Sequence, residues 1–284
     1  EINLGPSKVV ALADWISLDA GLSTALEADI AAGTEHLTQI VANADGLQLT
    51  SDKLLTARHF GNVLFNVMRG GIFDENYLVT KRDLLSFVIH YNKTVATKHQ
   101  SFLQSLPTTF VYSDLIGKAA QQGDAQLHRL CLEYLPLTFS RRHGDPSRPW
   151  NRFSIELLEP SGEKKLYYEG NWRDIFQNWE ALAYSFPEFI EGMITKFANA
   201  STIDGYNPYR ITREGIDWET IEPDDPWSYI GYWGDHQIVY LQRLIDVCER
   251  HVCRWRHRQC HCHICHDVCR ACSPSSQLGF GNLI

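Results

Sequence analysis

The stretch Arg173-Asp-Ile-Phe-Gln-Asn-Trp-Glu-Ala-Leu-Ala-Tyr-Ser-Phe-Pro-Glu-Phe-Ile-Glu-Gly-Met-Ile-Thr-Lys-Phe-Ala-Asn199 decides the fold. It reads as two helices, Arg173 to Ser185 and Pro187 to Asn199, with Phe186-Pro187 at the corner. Proline in the first turn of the second helix costs little, because its missing N–H would have no partner there in any case. A helical hairpin is therefore the expected unit.

The same unit recurs on either side. Upstream, Ala11–Ile16 and Leu22–Val41 are rich in Ala and Leu and read as helix. Thr50-Ser51-Asp52 caps a helix from Lys53 to about Arg69, which glycine stops at Met68-Arg-Gly-Gly71. Phe73–Val79 is a short aromatic connector, and Thr80 with Asp83 opens a helix expected to run from Lys81 to Leu103. Phe110–Gly123 and Asp124–Tyr134 form a pair split at Gln-Gln-Gly-Asp, with Cys131 on the apolar side as a core thiol. Glu-Pro-Ser-Gly-Glu, between Phe153–Leu158 and Lys165–Glu169, is the one clear β-hairpin signal. Downstream, a long loop from Ser201 to Tyr232 leads to a last helix from Trp233 to about Glu249. Its buried stripe is Ile238, Leu241, Leu244, Ile245 and Cys248. Eight to ten helices, one hairpin and no βαβ alternation predict a mainly α fold of stacked helical hairpins, as in an α/α toroid or part of one.

Composition narrows the function. The chain has 284 residues, 44% of them hydrophobic and 21% charged, which is ordinary for a globular protein. A net charge of −8 argues against a nucleic-acid partner, and no apolar run is long enough for a membrane span. The chain opens on Glu1 without Met or a leader pattern, so a fragment of a larger protein is expected. Of eight cysteines only Cys131 precedes residue 248, so the body, residues 1–247, has no disulfide framework and reads as cytoplasmic. Residues 248–284 are a tail dense in Cys, His and Arg. Cys262-x2-Cys265 and Cys269-x2-Cys272 stand only three residues apart, too close for two zinc knuckles to turn and face each other. The tail reads as an unstructured or artefactual end, so no metal site and no cofactor is assigned.

The chemistry concentrates between Tyr167 and Gln237, where five of the eight tryptophans interleave with carboxylates and arginines. Such a mixture suits a polyhydroxylated ligand: rings stack on the apolar faces of a sugar, and carboxylates and amides take its hydroxyls. The competing reading is a Trp-rich core with solvated loops. Cleaving a glycosidic bond needs two opposed carboxylates, which must come from different segments. Asp174 and Glu180 lie on one segment, Glu214, Asp217 and Glu219 on a second, and Asp235 on a third. For Asp174 and Asp235 the plain alternative is compensation of a helix N-terminus. The loop from Leu137 to Arg152 is basic, and Arg141, Arg142 and His143 there could grip phosphate or a ligand carboxylate.

Gly170-Asn-Trp-Arg-Asp-Ile-Phe-Gln-Asn-Trp-Glu180, Asp204-Gly-Tyr-Asn-Pro-Tyr-Arg210, Gly231-Tyr-Trp-Gly-Asp-His-Gln237 and Leu135-Pro-Leu-Thr-Phe-Ser-Arg-Arg-His-Gly-Asp-Pro-Ser-Arg-Pro-Trp-Asn151 carry a resemblance. Over residues 55–247 the chain resembles large bacterial proteins related to the six-hairpin glycosidase superfamily, which includes cellobiose phosphorylase-like and glucoamylase-like enzymes. The resemblance implies part of an (α/α)6 barrel. It carries the general acid over to Asp174, where Asn171-Trp-Arg-Asp174 stands for the Asp-Trp-Asn-Asp of the phosphorylase-like enzymes. The expectation is an inverting carbohydrate-cleaving enzyme, with water favoured over phosphate as acceptor. Asp174 acts as acid and Asp235 or Glu219 as base. Trp150, Trp172, Trp179, Trp218, Trp233, Arg210, Arg213 and His236 bind an oligosaccharide or polysaccharide beside Arg141, Arg142 and His143. The alternative is a non-catalytic helical module that binds sugar or serves as a structural part of a larger protein.

Overall fold

The computed structural model describes residues 6–18, 21–48, 50–140, 157–161, 163–218, 223–224 and 238–255. Eleven α-helices and seven short strands make up these residues, so the fold is mainly α as the sequence predicts. Two helices lead in, α1 (Pro6–Leu18) and α2 (Leu22–Asn43), and α3 (Lys53–Gly70) follows. Asp52 caps α3 by accepting from the Leu54 and Leu55 amides at 2.9 and 3.1 Å. Gly71, at φ 84°, ends it in a backbone region that favours glycine. Among the described residues no single helix is long and apolar enough to cross a membrane.

The aromatic connector proves to be two strands, β1 (Ile72–Phe73) and β2 (Leu78–Thr80). The single helix expected from Lys81 to Leu103 is three: α4 (Lys81–Tyr91), α5 (Lys93–Lys98) and α6 (Gln100–Ser105). Asn92 causes the first break. Its backbone is extended and its side chain accepts from the Val95 amide at 3.0 Å, so it caps α5 rather than continuing α4. Thr80 stands at the start of α4 but makes no side-chain cap.

The next helix begins later than expected, because Thr109–Val111 forms β3, which pairs antiparallel with β2. Helix α7 (Tyr112–Gln121) and helix α8 (Ala125–Glu133) then pack as a hairpin, and Asp124 caps α8. Strand β4 (Leu137–Thr138) pairs with β1. The predicted β-hairpin survives in its described part as a Leu158–Lys164 bridge. The long loop is not structureless. Its first half supplies β6 (Arg210–Thr212) and β7 (Ile216–Asp217), which join β5 (Glu169–Asn171), the strand ahead of α9, in a three-stranded antiparallel sheet.

The central hairpin forms as read: α9 (Trp172–Ser185), a 3₁₀ turn at Pro187–Phe189, and α10 (Ile190–Ala200). Helix α9 lies against α3, α10 against α8, and both meet α11 (Ile238–Trp255). Of the expected α11 stripe Leu244 and Cys248 are buried, with Val247 beside them, while Ile238 is exposed. Two aromatic clusters fill the interior. Trp172, Phe176, Trp179 and Phe197 pack edge-on or tilted with centroids 4.7–5.0 Å apart. Phe73 stacks on Phe189 at 3.8 Å, with Tyr77, Tyr112 and Phe186 around them. Cys131 is a buried free thiol, as expected, and burial pushes it up to about 12.

Candidate functional site

Asp174 enters the site from the first turn of α9, set there by the β5 strand that runs straight into the helix. The Asn178 amide donates to the Asp174 carbonyl one turn on. The Asp174 carboxylate is not spent on its own helix end. Its Oδ1 lies 2.9 Å from Nη2 of Arg69, in the last turn of α3, with side-chain exposures of 17% and 11%. The Arg69 guanidinium also stands 5.1 Å from the centre of the Phe65 ring. The Arg69–Asp174 pair bridges two helices 105 positions apart in sequence, and no spacing rule could have revealed it.

Beside α9, the β5–β6–β7 sheet carries a second charged group. Arg210 on β6 binds Glu169 of β5 at 2.5 Å through Nη1, and Asp217 of β7 through Nε and Nη2. Tyr167 donates to the other Glu169 oxygen at 2.9 Å; burial, and then the bond to Glu169, raise its phenol well above the usual range. Arg213, just past β6, grips both oxygens of Asp83 at 2.7 and 2.8 Å. Tyr134 donates to the same carboxylate at 2.5 Å, and Tyr91 donates to the Arg213 carbonyl at 2.6 Å.

These placements revise several expectations. Trp172 and Trp179 are wholly buried, and Trp179 donates its indole N–H to the Gly70 carbonyl at 2.8 Å. Neither presents a face on which a sugar could stack; the Trp-rich core is the better reading for both. Arg210 ties β6 to β5 and β7, and Arg213 ties the end of β6 to α4 through Asp83, so both charges are answered by the protein's own carboxylates. Glu180, the other carboxylate considered on α9, pairs with Arg243 of α11 at 3.1 Å. Trp218 is different: it follows β7 directly and is 46% exposed, which leaves its ring free for stacking. Arg141, Arg142, His143, Trp150, Glu219, Trp233, Asp235 and His236 lie outside the described residues, as does the tail beyond Trp255.

Sequence reasoning passed over Arg69, Tyr167, Glu169 and Lys196. Only Lys196 carried a legible signal, a lone lysine set among the apolar residues of a helix that is otherwise buried. Its ammonium lies 5.2–5.7 Å from the ring centres of Tyr91, Tyr168 and Phe87. Among the described residues, no group of three or more His, Cys, Asp or Glu could hold a metal ion.

Residues 73–136, from β1 to the end of the α8 segment, match the sequence profile of glycoside hydrolase family 149 insertion domain 1. No curated protein matches the chain. The chain thus carries a glycosidase-related region, packed against the hairpin that bears Asp174.

Proposed function

We propose that this chain is a region of a carbohydrate-active enzyme that cleaves glycosidic bonds through a carboxylate pair. One observation carries the reading: the glycosidase-related segment and the helix bearing Asp174 share one core. Phe73, Tyr77 and Tyr112 of residues 73–136 pack on Phe186 and Phe189 at the α9–α10 corner. In this reading Asp174 gives the proton to the leaving oxygen, and Asp235 or Glu219 activates the attacking group from the opposite wall. An inverting reaction of this kind sets the two carboxyl groups roughly 6.5–9.5 Å apart. Trp218 stacks a sugar ring near the β5–β6–β7 sheet. The acceptor is water, or phosphate where Arg141, Arg142 and His143 hold it as bidentate donors. The helical hairpins are then part of an (α/α)6 toroid of six-hairpin type.

The test is turnover. Full-length protein is incubated with gluco-oligosaccharides of differing linkage, with and without phosphate, and products are resolved by chromatography. Cleavage is expected, with Asp174→Asn reducing the rate by about 10²–10⁴-fold. Phosphate-dependent release of a sugar phosphate identifies phosphate as the acceptor. Full activity in Asp174→Asn would remove Asp174 from the mechanism.

A second reading has its own support. The matched profile is that of an insertion domain, and Trp172, Trp179, Arg210 and Arg213 are committed to the fold. A non-catalytic module of a larger enzyme would bind oligosaccharide without cleaving any, and Asp174→Asn would then change stability alone.

A further inference from the structure

The β6–β7 hairpin is short, and its own strands are not all that holds it. Arg210 faces Asp217 and Ile211 faces Ile216 across the ladder. Thr212 and Gly215 close the turn, the Thr212 amide donating to the Gly215 carbonyl at 2.8 Å. A ladder this short is marginal in water by itself. Trp218 follows it directly, with its ring exposed.

The turn is gripped from outside by the segment that matches the insertion-domain profile. From the last turn of α4, His90 Nε2 donates to the Glu214 carbonyl at 2.9 Å. The next residue, Tyr91, donates its hydroxyl to the Arg213 carbonyl at 2.6 Å. Near the start of the same helix, both oxygens of Asp83 accept from Nη2 of Arg213, and the Tyr134 hydroxyl steadies that carboxylate. Behind the turn, the Arg213 amide donates to the Tyr168 carbonyl at 3.0 Å. Two successive carbonyls at the tip of the hairpin thus take side-chain donors that lie 122 and 124 positions away. The Thr212–Gly215 bond already closes the turn, so these contacts fix where the hairpin stands rather than whether it turns.

A ring that stacks on a sugar needs support behind it to stay in its productive place. We propose that residues 73–136 act as a clasp on the β6–β7 turn, with His90 and Tyr91 as positioning residues that set Trp218 against the substrate. The clasp is argued from the hairpin alone; the substrate rests on the carbohydrate-cleaving reading.

The double variant His90→Ala, Tyr91→Phe tests it in the full-length protein. Both changes spare the fold: alanine suits an exposed helix position, and phenylalanine keeps the ring against Phe87. Steady-state kinetics are measured on an oligosaccharide that the parent cleaves, with and without Trp218→Ala. With Trp218 present, KM is expected to rise about three- to tenfold while kcat stays within about twofold of the parent. In the Trp218→Ala background the same pair of changes is expected to leave KM unmoved, because residues acting through one group are not additive. General loosening would instead lower kcat and act alike in both backgrounds. Hydrogen exchange read by mass spectrometry checks the clasp without any substrate. Amides of residues 210–218 are expected to exchange about tenfold faster in the double variant, with those of α9 and α10 unaltered. The proposal is overturned if that exchange is unchanged, if KM does not move, or if KM rises equally with and without Trp218. A parent that cleaves no oligosaccharide overturns the enzyme reading alone, and the exchange comparison then decides the clasp.

Discussion

Lys196 places a cation where water is nearly absent. Burial depresses its ammonium from 10.5 to about 8; the neighbouring Glu133 resists that shift, and Arg213 and Arg129 add to it. The aromatic faces of Tyr91, Tyr168 and Phe87 offset part of the cost. The sign follows from proton counting. Between pH 8 and 10.5 the unfolded chain holds a proton that the native state has released, so this group makes stability rise with pH there. Below pH 8 the cost is present in full. Lys196→Met is therefore expected to stabilise the protein at pH 7 by about 1–3 kcal/mol and to flatten the rise above pH 8. Urea unfolding at several pH values from 7 to 10 checks both. Tyr91 and Tyr168, raised by burial, keep their protons in the native state while the unfolded phenols begin to ionise near pH 10, which pulls stability down there. The difference between Lys196→Met and the parent chain cancels that contribution. Gly192 is the opposite case, a residue whose value is its absence of side chain. A β-carbon there would overlap the Leu132 carbonyl where α10 crosses the end of α8. Gly192→Ala is expected to cost about 1–3 kcal/mol despite the better helix propensity of alanine, as read from the denaturation midpoint.

At the scale of elements, local signals and tertiary demands disagree most between Lys81 and Val111. Helix propensity runs almost unbroken from Lys81 to Leu103, yet the chain turns at Asn92 and again at His99. Asn92 wins locally because its side chain accepts from the Val95 amide in the first turn of α5, an alternative that continued helix would forgo. Asn92→Ala is expected to destabilise the fold by about 1 kcal/mol through the lost cap, measured by chemical denaturation. Strands of two or three residues, such as β1 and β4, carry no alternating pattern long enough to read. They exist because distant partners supply the hydrogen bonds. The α9–α10 hairpin, in contrast, was legible throughout: an aromatic-rich helix, a proline at the corner, and a second apolar helix.

For the whole molecule, the shared core has a consequence for residues 73–136. Phe73, Tyr77 and Tyr112 cover Phe186 and Phe189, and β1 takes its hydrogen bonds from β4 at Leu137–Thr138, just outside the matched region. Excised alone, the segment would expose those rings and leave β1 unpaired. A fragment of residues 73–136 is expected to lack a cooperative thermal transition and to bind a hydrophobic dye, whereas the full chain unfolds in one step.

The sequence by itself determined the mainly helical fold, the α9–α10 hairpin, the cap at Asp52, and the inert Cys131. Each rests on periodicity or on a bond between residues a few positions apart, which is what spacing can express. It also determined that Trp, Asp and Arg gather between Tyr167 and Gln237. Only the tertiary structure decided what they do. Burial turned Trp172 and Trp179 into core, because rings that large serve the interior when helices close over both faces. Partners far away in the chain made Arg210 and Arg213 into cross-ties and brought Arg69 to Asp174. Charge alone does not say whether a guanidinium meets a ligand or a neighbour; that is settled by which strands and helices the fold lays side by side.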